Sequence, residues 1–159
     1  MVFRKDDPGM VWWWYVLSGL HRCLFPAPGK QDVIGVGVDT IEIARIESLA
    51  LRFGQKFLNR VFTAREQVYC EGKRERFACY AARFAAKEAV LKALGTGLSG
   101  CRWTDVEVVA HPGGRPSVGL SGGAAAIAGE RLISGVLVSL SHDRGRALAF
   151  AVAVGEGRR

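Results

Sequence analysis

Arg83-Phe-Ala-Ala-Lys-Glu-Ala-Val-Leu-Lys-Ala-Leu-Gly-Thr-Gly97 reads as a helix built to be buried, with one carboxylate, Glu88, set between cations. At about 100° per residue, Phe77, Tyr80, Phe84 and Leu91 fall on one stripe, and Glu88 lies within roughly 50° of its centre. An ionised glutamate seldom enters such a stripe unless it is paired or holds a metal. Two plainer readings compete: a salt bridge to Lys92, one turn further on, and a place at the stripe's wet edge. Gly95-Thr-Gly97 ends the helix with a glycine C-cap.

Upstream, Val33-Ile-Gly-Val-Gly-Val-Asp39 has the profile of a buried strand that delivers Asp39 at its C-terminal end, with a turn aspartate as the plain alternative. Gly35 and Gly37 alternate, so both lie on one face, where a missing side chain lets a helix or a ligand approach the backbone. As a dinucleotide signature the pair is weak, because the third glycine is absent and both lie inside the strand.

Three segments then follow one another in a telling order: Gly35-Val-Gly-Val-Asp39, Phe84-Ala-Ala-Lys-Glu-Ala89 with Lys92 and Gly95-Thr-Gly97, and Ser139-Leu-Ser-His142. From about Val33 to about Val154 the chain resembles the holo-acyl-carrier-protein synthases, bacterial 4'-phosphopantetheinyl transferases of fatty-acid synthesis. The resemblance implies an enzyme that moves phosphopantetheine from coenzyme A to a serine of an acyl carrier protein and releases adenosine 3',5'-bisphosphate. It implies that Asp39 and Glu88 hold magnesium, an ion satisfied by one or two carboxylates plus substrate phosphates. No Cys/His cluster competes, since the three histidines and four cysteines lack metal-ligand spacing.

Lys92, one turn beyond Glu88 on the same side of the helix, is assigned to stabilising the pyrophosphate or the leaving group, and Arg83 and Lys87, which share another side, are expected to grip the nucleotide phosphates, although either could be a solvated charge. By the same resemblance Gly95, Thr96 and Gly97 border the coenzyme A site, and Ser141 and His142 lie beside its phosphates. Taken alone, a histidine at a strand end reads as a surface or hydrogen-bonded structural residue. The group that removes the serine proton stays open among Glu88, a metal-bound water and a water held by another acid.

A chain of 159 residues with 49% hydrophobic content supports one domain with a real core, and its net charge of +7 suits an acidic partner. Arg45 and Arg52, two helical turns apart, form a basic ridge that the resemblance sets against the carrier protein; a solvated basic face is the alternative. Family members assemble as homotrimers with coenzyme A between subunits, so a trimer is expected, with no nucleic acid among its partners. Two rival functions are a basic non-enzymatic module binding nucleic acid or an acidic protein, and a transferase acting on polyketide or peptide carriers.

The pattern predicts a strand at 33–38, helices near 41–52, 64–71 and 75–94, a strand over 105–110, and a turn leading into 117–120. A small-residue helix over 123–133 and a hairpin of 136–141 with 147–154 follow. Thr63 with Glu66 makes a capping box at the start of the second helix. The fold class is α+β, one domain with a mainly antiparallel sheet packed against helices.

Residues 1–32 stand apart from the transferase domain at 33–159. Met10-Val-Trp-Trp-Trp-Tyr-Val-Leu-Ser-Gly-Leu20 is about half the length of a membrane span, and Asp6 and Asp7 argue against a signal peptide. The extension is read as an appendage, a membrane-surface anchor, or a start assigned too early. Cysteines 23, 70, 79 and 101 show no paired framework, so a reducing cytoplasm is expected. Thr40 after Asp39, and Arg115 where relatives often carry lysine, depart from the family pattern.

Overall fold

The computed structural model of the protein describes residues 31–112 and 115–156. Strand β1 (Asp32–Glu42) leads into helices α1 (Ile43–Phe53), α2 (Gln55–Val61), α3 (Ala64–Glu71) and the long α4 (Arg76–Leu94). A 3-10 turn (Trp103–Asp105), β2 (Val106–Val109), β3 (Ser117–Leu120), α5 (Gly122–Glu130), β4 (Ile133–His142) and β5 (Arg146–Gly155) follow. The strands form a five-stranded antiparallel sheet in the order β1-β5-β4-β3-β2, the α+β arrangement expected.

Small residues bring α4 onto this sheet. A Cβ at Gly35 would overlap the Ala93 carbonyl, and one at Gly37 the Ala89 carbonyl, so the object approaching the glycine face is the helix. Opposite them in register stand Ala153 and Ala151, and Ala147, Ala149, Ala151 and Ala153 are all 0% exposed. Residues directly paired across strands share a face. The face toward α4 is therefore glycine and alanine, and it meets Ala85, Ala86, Ala89 and Ala93 of the helix. Close backbone approach of this kind leaves no room for larger groups. Above and beside the contact, Ile46, Phe62, Tyr80, Leu91, Leu94 and Val106 complete the core, with the Phe62 and Tyr80 rings 4.7 Å apart.

Strand β1 departs from its expected form in two ways. It stays extended to Glu42, paired with Arg146, so Asp39 sits inside the strand opposite Ala149 rather than at its end. It is also an edge strand buried on one side only: Val36 and Val38 are 58% and 52% exposed, and on β5 Phe150, opposite Val38, and Leu148, opposite Thr40, are 43% and 46% exposed. Valine occupies the outer face and glycine the inner, which conceals the alternation that marks a half-buried strand.

Helix α2 was not expected. Gly54, with φ 55°, breaks the chain, after which Phe57, Leu58 and Val61 turn inward while Gln55, Lys56, Asn59 and Arg60 face water. The cysteine reading is also corrected. Cys70 at the end of α3 and Cys79 near the start of α4 form a disulfide, their Cα atoms 5.5 Å apart. The turn between the two helices brings them together, and a separation of nine residues does not announce it. Cys101 carries a free thiol; Cys23 and the tryptophan-rich segment lie outside the described residues. Among the described residues no helix is long and apolar enough to cross a membrane.

Gly37→Ala forces a Cβ into the backbone of α4 and is expected to cost about 3 kcal/mol or more, at or beyond the upper end of ordinary overpacking. Gly72→Ala, at φ −76° with only ordinary contacts, serves as the control and should change stability by less than about 1 kcal/mol. Urea unfolding of both variants checks this, and equal midpoints would contradict the close-approach account.

Candidate active site

Neighbouring polar residues on α4 point in different directions, and the buried Lys87 sets the frame. Its Nζ donates to Glu66 Oε2 at 2.8 Å, to the Trp103 carbonyl at 3.0 Å and to the Val106 carbonyl, and both charged side chains are 0% exposed. Glu66 also accepts from the Thr63 and Val108 amides, each at 2.9 Å. Burial pushes the Lys87 ammonium below its usual range, and the Glu66 carboxylate works against that shift. With its donors committed inside the core, Lys87 does not reach a phosphate; its expected role as a phosphate grip gives way to a structural one. Burial in an ion pair is the physical reason, and the lysine's place in an apolar helix did not distinguish the two.

One residue further round the helix, Glu88 opens into a cavity of about 360 Å³, lined also by Asp39, Thr40, Ile41, Glu42, Arg45, Phe84 and Arg146. Asp39 reaches it because it shares the inward face of β1 with Gly37. Glu88 is half-buried, and burial first, then the charge of Asp39, pushes its carboxyl above the ordinary glutamate range, with Lys92 opposing. Lys92 Nζ bonds Asp39 Oδ1 and the Val38 carbonyl, both at 2.9 Å. The lysine thus pairs with Asp39 across the helix–strand junction, and the salt bridge to Glu88 considered from spacing is not formed.

Two carboxylates line one open cavity, and an ammonium, that of Lys92, is bonded to one of them. Among the described residues no three His, Cys, Asp or Glu side chains converge to hold a metal. A pair of oxygen donors fits magnesium, which completes its shell with waters and substrate phosphates; it fits zinc poorly.

Arg45 of α1 lines the same cavity. Arg52, further along the same exposed ridge, lies over the ring of Phe53 at 5.0 Å. Arg83 and His142 meet elsewhere, in a second cavity of about 370 Å³ with Tyr69, Lys73, Arg74 and Cys79. Arg83 is 6% exposed, its guanidinium lies 4.3 Å from the Tyr69 ring centre, and its buried Nε has no hydrogen-bond partner among the described residues. Gly95, at φ 70°, and Gly97, at φ 58°, carry the chain past the end of α4, where Arg131 donates to the Gly95 carbonyl at 3.2 Å. Thr96 Oγ1 donates to the Ser99 carbonyl at 2.8 Å, and Ser141 is exposed on β4. Those four residues lie outside both cavities. The expected site is thus divided within one chain: Asp39, Glu88 and Lys92 at one place, Arg83 and His142 at another.

Arg146 was missed. Its signal lay in the charged turn Asp143-Arg-Gly-Arg146, and it stands opposite Glu42 with a 3.8 Å ion pair at the mouth of the first cavity. Glu66 was seen only as a helix cap, because its bonds to Lys87 and Val108 are long-range.

The chain belongs to the 4'-phosphopantetheinyl transferase superfamily, whose family model matches residues 35–151. It is similar to the holo-[acyl-carrier-protein] synthase of Desulforudis audaxviator, 54% identical over 123 residues that span 77% of this chain and 94% of that one. The crystal structure of the Neisseria meningitidis holo-[acyl-carrier-protein] synthase superposes with a TM-score of 0.71 at 32% identity, covering 77% of this chain and 98% of that one. The Helicobacter pylori enzyme, solved in complex with coenzyme A, gives 0.66 at 34% identity over 74% and 98% of the two chains.

Because the folded protein disfavours ionised Glu88, its pKa lies higher folded than unfolded, and the metal-free protein holds its full relative stability only below the ordinary glutamate pKa. That stability falls as pH rises toward the shifted value. Glu88→Gln should therefore gain on the parent protein as the pH rises from below the ordinary glutamate value through the range above it. Urea unfolding in the presence of a chelator measures it, and curves that stay parallel across this range would refute the placement of Glu88.

Proposed function

We infer that the Asp39–Glu88 cavity is where this chain, a phosphopantetheinyl transferase, moves the 4'-phosphopantetheine group of coenzyme A onto a serine of an apo-acyl carrier protein. The observation that carries the assignment is the meeting of a strand carboxylate and a helix carboxylate in one open cavity beside Lys92. Asp39 and Glu88 are the residues that would hold magnesium, and when bound the ion supplies charge neutralisation at the pyrophosphate. Lys92, an exposed ammonium tethered to Asp39, is placed to turn toward phosphate oxygens. The serine oxygen bonds to the transferring phosphorus as the bond to adenosine 3',5'-bisphosphate breaks, and the serine proton passes to a base in the cavity, Glu88 or a water beside it. Positioning and fixed charge supply most of what such a displacement needs.

Arg83 and His142 are proposed to take the nucleotide phosphates in the second cavity, with Gly95, Thr96, Gly97 and Ser141 bordering the remainder of coenzyme A. A homotrimer reconciles the two cavities, because a neighbouring subunit can set its second cavity beside this chain's first. The bare sheet face supports it: Val36, Val38, Leu148 and Phe150 are exposed side by side on β1 and β5, a patch that calls for cover. Arg45 at the cavity rim and Arg52 beyond it form the docking ridge for the acidic carrier protein, whose serine then reaches Glu88 and Asp39. The transferase domain is assigned to residues 33–159, with 1–32 appended to it, and the setting to the cytoplasm, in the service of fatty-acid synthesis.

The test is the intact mass of an apo-acyl carrier protein incubated with the full chain, coenzyme A and magnesium. The carrier should gain one phosphopantetheine, a chelator should abolish the gain, and Asp39→Ala or Glu88→Ala should slow it about a hundredfold or more. Arg45→Glu should raise the KM for the carrier and leave kcat nearly unchanged. A carrier that stays unmodified, while a known transferase modifies it, would favour a basic binding module or a different carrier. Turnover indifferent to the chelator would remove the metal from the mechanism.

A further inference from the structure

The Cys70–Cys79 bond closes the turn between α3 and α4, and that turn builds one wall of the second cavity. Lys73, Arg74 and Glu75 lie within the closed loop and line the cavity, as does Cys79 itself. Arg83 Nη1 stands 3.0 Å from Cys79 Sγ, and the Lys73 ammonium and the Arg83 guanidinium both lie 4.3 Å from the ring centre of Tyr69. Arg83 is an almost fully buried cation with an unpartnered Nε, and among the described residues no carboxylate forms an ion pair with it, the Glu66 charge acting on it only from a distance. A desolvated guanidinium of this kind needs an anion.

We propose that Cys70 and Cys79 are a reversible dithiol–disulfide site, oxidised by small-molecule disulfides, whose state sets how strongly the Arg83–His142 cavity binds phosphate. The proposal rests on that cavity's reading as the nucleotide-phosphate site. Reduced Cys79, beside a guanidinium and partly exposed to the cavity, is favoured as a thiolate and reachable by a small oxidant; Cys70 is fully buried and acts as the partner. The Cys79 thiolate attacks one sulfur of the small disulfide and expels the first thiolate. Cys70 then loses its proton, attacks Cys79 Sγ and expels the second. Two protein thiols are oxidised and one small disulfide is reduced to two thiols.

The coupling is electrostatic and conformational, and both parts act in the same direction. In the reduced form the Cys79 thiolate answers the charge of Arg83 and competes with phosphate. In the oxidised form sulfur carries no charge, Arg83 is left for a phosphate, and the loop bearing Lys73 and Arg74 is tied to the start of α4. Disulfides in a reducing compartment are characteristically of this transient, responsive kind.

Full-length protein is equilibrated in mixtures of oxidised and reduced glutathione and trapped by alkylation; peptide mass analysis follows Cys70 and Cys79, and calorimetry follows binding of adenosine 3',5'-bisphosphate. The pair should titrate together and reversibly. The oxidised form should bind the bisphosphate roughly tenfold more tightly, the size of one charge-assisted hydrogen bond, and the double variant Cys70→Ala/Cys79→Ser, which can form neither the internal bond nor a mixed disulfide, should bind with one affinity in every mixture. The inference is overturned if the pair never forms, forms but cannot be reduced, or changes state without changing affinity. Arg83→Gln separates the two ideas: if it leaves bisphosphate binding unaltered in both redox states, the phosphate reading of the cavity fails, whatever the cysteines do. If it weakens binding while oxidised and reduced parent protein bind alike, only the redox coupling fails.

Discussion

Lys87 and Glu66 face each other at 2.8 Å in a place that water does not enter, and four parts of the molecule are tied to that contact. Glu66 belongs to α3 and caps it, Lys87 belongs to α4, and their remaining bonds run to the 3-10 turn at Trp103 and to β2 at Val106 and Val108. Burying two charges is costly, and here nearly every donor and acceptor is matched, so the pair is a constraint on geometry more than a source of net stability. Removing one partner would leave the other charge stranded, at a cost of about 3–5 kcal/mol. It follows that α4 cannot rotate about its axis without breaking the pair, and Glu88, the next residue, is held facing the cavity.

The second constraint is the contact of small residues beneath the helix. Gly35 and Gly37 on β1, with Ala151 and Ala153 beside them on β5, let α4 lie directly on the sheet. Asp39 continues the same inward row, one pair further along, so the strand brings a carboxylate beneath the helix next to Lys92. The ion pair fixes rotation and the alanine–glycine contact fixes distance. A cavity with two acids from distant parts of the chain is the outcome of both.

Local signals were legible and long-range ones were not. The capping box at Thr63, the αL glycine after Leu94 and the hairpin around Asp143-Arg-Gly-Arg146 each depend on residues within one turn, and their form follows from them. Glu88 and Asp39 stood out because each is an acid in an apolar stretch. Lys87 misled for a symmetrical reason: a cation beside other cations on a helix looks like a phosphate grip, and its partner lies on another helix. The Cys70–Cys79 bond and the division of basic residues between two cavities escaped notice on the same grounds, since both arise from how helices pack. Strand β1 was read as buried because its exposed valines belong to a face that this chain alone leaves bare.

The central claim, that Asp39 and Glu88 act as one metal-holding pair at the phosphate site, is tested most directly by electron paramagnetic resonance of Mn²⁺ titrated into the protein with coenzyme A present. Manganese takes the same oxygen ligands as magnesium and reports its own binding. The account predicts a site on the parent protein that weakens at least about tenfold in Asp39→Asn and in Glu88→Gln, and that tightens when coenzyme A is added. Equal Mn²⁺ binding by parent and variants, with or without coenzyme A, would contradict it.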